Sequence, residues 1–321
     1  MSPSAGGLEP VLPPPGQRLP VLRALKTVAL TDGELHPKET QLLELAAEAM
    51  GLTVDLQDLA PIEPEELAEG LTDAPTRAAL MKRLVFLSTL DAEVSAAEVA
   101  LLERYGTALG VEERAVHNMR QLVQGQLRLM AFDLGRRSFA PAMLGEIWSR
   151  EGLAGLFTFA KVALGLQDAA AAARFEALGE LPADTLGRAL YHQFVDNGFP
   201  YSGQKHGAPA NALFHDLGHV LAGYDTSPAG ELQVAGFQAG YLDQDPLVMY
   251  LMIAFLFQLG LEPIAKARGV TAEKGMLDLE TFQVAYRRGR AMTTNLIGWD
   301  PWPHMERPLD EVRAELGVPA L

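Results

Sequence analysis

Gly207–Glu231 reads G-A-P-A-N-A-L-F-H-D-L-G-H-V-L-A-G-Y-D-T-S-P-A-G-E. The pattern predicts a helix from about Pro209 to Ala222, stopped by Gly223 and followed by a short turn that brings a carboxylate back. Four residues separate His215 from His219, which on a helix sets both imidazoles on one face, a turn apart. That spacing suits two nitrogen ligands of a divalent metal. Asp216 lies about a quarter turn round, where it binds side-on or orients a bound water, and Glu231 closes the site after the turn. The competing account is a packed, hydrogen-bonded histidine pair. The adjacent Asp, the Gly-bounded turn and the returning Glu favour the metal.

The chain has 321 residues, 48% of them hydrophobic, enough for one large core or two. A formal charge of −15 argues against nucleic acid as a partner and against an electrostatic grip on anionic lipid, though not against an apolar one. With no cysteine, disulfides, thiolate ligands and iron–sulfur centres are excluded. Sites must then be built from His and carboxylates. Residues 1–18 are rich in Pro, Gly and Ser and lack the form of a signal peptide, which predicts a disordered arm on a cytoplasmic protein.

Outward from there the periodicity is helical throughout, and no stretch alternates long enough for a sheet. The expected fold is all-α, with a helical domain over 19–138 and a second over 139–321. In the first, Val21, Leu22, Leu25, Val28 and Ala29 form a stripe, and Leu42, Leu43, Ala46 and Ala47 another. The pattern returns 59 residues on: Asp32-Gly33-Glu34-Leu35 matches Asp91-Ala92-Glu93-Val94, Glu39 matches Glu98, and Gly51-Leu52 matches Gly110-Val111. Two stacked helix–turn–helix units follow. The acidic turns read as helix caps, with a cation site as the alternative; Pro37 stands where an EF-hand loop needs glycine. A long helix over about Glu112–Leu134 then leads to a boundary at Gly135–Pro141.

These residues, Asp-Gly-Glu with Glu39 five positions on and Gly-Leu after the second helix, resemble the tellurite-resistance TerB-like domain over roughly Leu19–Arg137. The resemblance implies a regulatory or docking module, responsive to cations.

In the second half, helices are expected over Gly145–Leu166, Gln167–Leu178, Pro182–Val195 and Leu279–Leu296. Pro246–Leu261 is the most apolar stretch, interrupted by Gln258 and Gly260, and too short to span a bilayer, so no transmembrane segment is expected. It reads as a core helix, or as the lining of a tunnel for a lipid tail. A lipid pocket would draw on Tyr250, Leu251, Ala254 and Phe255, with Tyr286 and Arg290 near its mouth. Trp299–His304 reads as an aromatic turn clamping the last helix, and His36, His117 and His206 as surface or capping residues.

Leu186-Gly187, Phe194, Asn197-Gly198-Phe199, the long run from His215 through His219, Gly223 and Thr226 to Gly230-Glu231, and Arg313–Val318 together resemble the ubiquinone-biosynthesis Coq4 family over about Gly152–Leu321. The resemblance implies an all-helical, peripherally membrane-associated protein on the inner face of the membrane. It implies a divalent metal, zinc first with iron or manganese as alternatives, held by residues matching His215, Asp216, His219 and Glu231. It also implies a pocket for a prenylated aromatic precursor or similar long-chain lipid, partnership with other quinone-biosynthesis proteins, and either scaffolding or oxidative decarboxylation of a prenylated hydroxybenzoate ring. A fused TerB-like domain and a short segment before the metal helix depart from the usual member. Asp216 or Glu231 would take the catalytic proton. A non-catalytic scaffold or lipid carrier with a structural metal is the rival reading. A helical His-Asp phosphohydrolase using His192, His215, Asp216 and Asp243 or Asp245 is a third, and a homo-oligomer is compatible with each.

Overall fold

The structure is a computed structural model that describes residues 12–91, 93–137, 140–242, 254, 275 and 278–320. Among them every regular element is helical, and the chain groups into two compact units, Met1–Gly135 with Asp245–Leu277, and Arg136–Gln244 with Asp278–Leu321.

The first unit is built on α1 (Arg18–Ala29), which buries Val21, Leu22, Leu25 and Val28 as the stripe predicts. Order begins earlier than the composition suggests, because Arg18 Nη1 donates to Met50 O at 2.8 Å and Pro15–Gln17 forms a turn of 3₁₀ helix ahead of it. Next come α2 (Pro37–Ala49), α3 (Pro64–Gly70), α4 (Ala74–Leu87), α5 (Ala96–Leu109), α6 (Arg114–Val123) and α7 (Leu127–Arg137). Helix α1 packs on α2, α3, α4 and α5. The repeat is realised in its caps. His36 and Ser95 each begin a helix with a reciprocal capping box, His36 N donating to Glu39 Oε2 at 2.9 Å and Ser95 N to Glu98 Oε2 at 2.8 Å. Asp32 and Asp91 tie the preceding turns by accepting from Glu34 N and Glu93 N.

The single helix expected over Glu112–Leu134 is two. Gly125, at φ 70°, turns the chain left-handed after α6, and Gln126 N closes the end on Gln121 O at 2.8 Å.

In the second unit, α8 (Ala140–Ala163) bends at Gly152, where φ is 58°. It is followed by α9 (Ala169–Glu176), α10 (Leu186–Val195), α11 (Phe214–Ala222), α12 (Pro228–Tyr241), α13 (Leu279–Arg290) and α14 (Leu309–Leu316). Helix α10 packs on α11 and α14, α11 on α12, and α12 on α13. The α12–α13 seam is a backbone contact: a Cβ on Gly240 would lie 2.3 Å from Tyr286 O, and one on Gly289 would lie 1.9 Å from Phe237 O. Several helices begin later or end earlier than periodicity suggests, since Thr185 caps α10 and Ala291 ends α13.

Of the residues expected in a lipid pocket, Ala254 and Tyr286 are buried and Arg290 is exposed. Tyr250, Leu251 and Phe255 lie outside the described residues, as do Asp243 and Asp245. No described helix is long and apolar enough to cross a membrane.

Candidate metal centre

Helix α11 starts five residues later than Pro209, because the preceding segment is held as turns. Ala212 N bonds Pro209 O, and Trp302 Nε1 donates to Ala210 O at 3.1 Å. Arg174 stacks on Trp302 with its guanidinium 3.7 Å from the ring centre. Trp302 therefore fastens the loop that enters the site, a different duty from clamping the last helix. At the far end Gly223 adopts the left-handed conformation at φ 75°, and the N–H groups of Gly223 and Tyr224 both bond His219 O. The last carbonyls are taken by two arginines: Arg313 reaches Leu221 O at 2.9 Å and Val220 O at 3.0 Å, and Arg288 reaches Ala222 O at 3.0 Å. Both satisfy orphan acceptors and place positive charge at the negative end of the helix.

Ser227 then caps α12 by accepting from Gly230 N, with Pro228 at the first helical position. A Cβ on Gly230 would meet Asp225 O at 2.0 Å, so the tight turn admits only glycine there. The consequence is the placement of Glu231 in the first turn of α12, against the face of α11 that bears the histidines.

His215 Nε2 lies 3.3 Å from Glu231 Oε2, and His219 Nε2 lies 3.2 Å from Glu231 Oε1. One potential ligand atom from each of the three residues falls within 4.8 Å of the others, and among the described residues this is the group of His, Asp or Glu that does so. The rings are 5.0 Å apart and nearly perpendicular. His219 is 2% exposed and Glu231 13%, while His215 keeps 39% of its side chain open to solvent.

The second nitrogens decide what the first can do. His219 Nδ1 faces the carbonyl of Tyr224 at 3.2 Å. A carbonyl only accepts, so Nδ1 carries a hydrogen; the neutral ring then points a lone pair from Nε2 at Glu231, and the protonated ring donates to it instead. Two acceptors at 3.2 Å repel unless a proton or a metal cation lies between them. Tetrahedral bonds of about 2.0–2.1 Å place ligand atoms about 3.4 Å apart, and the two His–Glu distances fit that edge. Burial pushes the Glu231 carboxyl up, but in the absence of a metal protonated His215 and His219, which donate to it and face it with positive charge, outweigh burial and hold the group at about 2. The donor set of two imidazoles and one carboxylate is one that zinc, iron and manganese accept.

Asp216 stays outside the 4.8 Å group. Desolvation raises its pKa, against the nearby His215 and His219, which lower it. His192 pairs with Asp196 at 3.1 Å and His304 with Arg307 at 2.9 Å, both away from the group. His36 caps α2, and His117 contacts Gln121 at 3.0 Å. Sequence reasoning missed Gln238, whose amide sits 3.1 Å from His215 Nδ1, as well as Tyr224, Arg288 and Arg313 in their supporting roles. Gln238 had a signal: it lies seven residues after Glu231, two helical turns on the same face.

Neither a protein-family model nor a curated protein matches this chain. Among solved structures, a chain from Nostoc punctiforme PCC 73102, provisionally named a ubiquinone biosynthesis protein, is similar with a TM-score of 0.35 at 19% identity, over 64% of this chain and 95% of that one.

Proposed function

We propose that this is a metal-dependent protein acting on, or presenting, a prenylated aromatic acid of quinone synthesis, with His215, His219 and Glu231 as the protein ligands. The observation that carries the proposal is the convergence of one ligand atom each from His215, His219 and Glu231 to within 4.8 Å of one another, with both imidazoles beside the same carboxylate. Three protein ligands leave a position for water or a substrate oxygen, the pattern of catalytic rather than closed structural zinc sites. A metal bound there would supply Lewis-acid polarisation of a ring hydroxyl or carboxylate, and as iron or manganese it would also supply oxygen chemistry. The chain's own part is to orient and to exchange protons. The exposed edge of His215 leaves the group reachable from solvent, and Asp216, next to it and outside the ligand group, is the carboxylate available as proton acceptor.

A bilayer-derived substrate requires contact with the membrane, and α8 supports it. Leu144, Trp148, Leu153 and Phe157 stand exposed on its two segments, with Leu164 beyond, as in helices that lie in a lipid interface. The first unit would then serve as the docking module for quinone-synthesis partners.

The test is turnover of prenylated hydroxybenzoates by iron- and zinc-loaded protein, with and without oxygen, read by mass spectrometry. A ring-modified product that disappears in Glu231→Gln supports the enzyme. Metal uptake and lipid-vesicle binding without any product would leave the scaffold instead.

A further inference from the structure

We infer that Gln238 decides whether His215 shows the centre a lone pair or a proton, which makes it the positioning residue of the site. The inference rests on the reading above that His215, His219 and Glu231 share a cation.

The two imidazoles lie one turn apart on α11 and have different surroundings. His219 Nδ1 faces a backbone carbonyl, so the neutral ring has one tautomer, with its lone pair on Nε2. His215 Nδ1 faces the primary amide of Gln238 at 3.1 Å. An amide presents either NH₂ or oxygen in almost the same volume, exchanged by a half-turn about its last torsion. With the nitrogen towards Nδ1, His215 carries its hydrogen on Nε2 and donates to Glu231 Oε2 across 3.3 Å. That closes a hydrogen bond and withholds the lone pair. With the oxygen towards Nδ1, the hydrogen sits on Nδ1 and Nε2 opens to a cation. The ion therefore needs the second arrangement, and Gln238 supplies either one without moving its backbone.

The surroundings suit such a device. Gln238 is 3% exposed, so its amide is shielded from solvent where it meets Nδ1. Gly218 on α11 lies beside the amide, a Cβ there standing in ordinary contact at 3.6 Å from Gln238 Nε2. Glu231 and Gln238 sit two turns apart on one helix, so α12 addresses both nitrogens of a single ring, Nε2 from its first turn and Nδ1 from its third. His219 is thus a fixed ligand and His215 a conditional one.

The experiment is zinc titration of the full chain, wild type and Gln238 variants, by calorimetry against a competing chelator, joined to ¹⁵N NMR of labelled histidines. Gln238→Glu only accepts at Nδ1, so it holds His215 in the ligand tautomer and tightens zinc binding by about 10-fold. Gln238→Met keeps the volume but does neither, and weakens binding by about 10–100-fold. The spectra are expected to show His215 of the wild type moving from Nε2–H to Nδ1–H on adding zinc, His219 remaining Nδ1–H throughout, and His215 of Gln238→Glu in the Nδ1–H form before any metal. Wild-type zinc binding with both variants indifferent, or one unchanged His215 tautomer with and without zinc, overturns this inference alone. A wild type that takes up no zinc overturns the metal reading as well.

Discussion

Glu231 is reached by both imidazoles, and His219 is the more completely committed of the two because its other nitrogen is fixed by a carbonyl. On the proposed metal reading each of these groups is a ligand rather than a supporting bond, so Glu231→Gln and His219→Ala are expected to weaken zinc binding by on the order of 100-fold or more, beyond the usual effect of an outer partner. His215→Ala, at the more exposed corner, is expected to cost less. Equilibrium dialysis with metal analysis separates the three. At this scale the sequence was a good guide to which side chains meet, since helical spacing alone brings His215 and His219 together and the Gly-bounded turn returns Glu231. Asp216 stands apart from that group, because neighbours on a helix diverge by about 100° and a side chain beside His215 is not thereby aimed at the same point.

The site depends on α12 lying hard against α13, which the small residues of the seam permit. Gly240→Ala would force a methyl to 2.3 Å from Tyr286 O. Overpacking of this kind costs about 1–3 kcal/mol, and the displaced helix carries Glu231 and Gln238 with it, so thermal midpoint and zinc affinity are expected to fall together. In the first unit the two capping boxes behave differently. Burial pushes Glu39 and Glu98 up to about 7 from the ordinary 4.5, with Asp32 and Asp91 adding to the rise. Between those values the folded chain holds protons that the unfolded chain has lost. Stability is thus full below 4.5 and is lost as pH rises through about 7, with about 1.4 kcal/mol at stake for each tenfold gain in proton affinity on folding. Urea denaturation between about pH 5 and pH 8 should show the midpoint falling. Glu39→Gln with Glu98→Gln keeps the caps and flattens the slope. The repeat was legible because its turns are written locally, in Asp32 and Glu39 and again in Asp91 and Glu98. The seam was not, because glycines that let two backbones touch look in sequence like glycines that merely break helices.

For the molecule as a whole, the charge of −15 makes self-repulsion a steady tax on the folded state. Adding salt from about 20 to about 200 mM shortens the reach of that field and is expected to raise the melting temperature by about 2–4 °C, read by circular dichroism. A helical fold was plain from periodicity, whereas some helix ends also lean on partners distant in sequence, which no local window contains. The clearest is Arg313, which crosses more than ninety positions of chain to close the end of α11. A ribosome making this protein therefore releases both histidines long before the residue that finishes their helix. A message cut short before α14 would yield a product with every presumptive ligand present and the scaffold that aligns them left open.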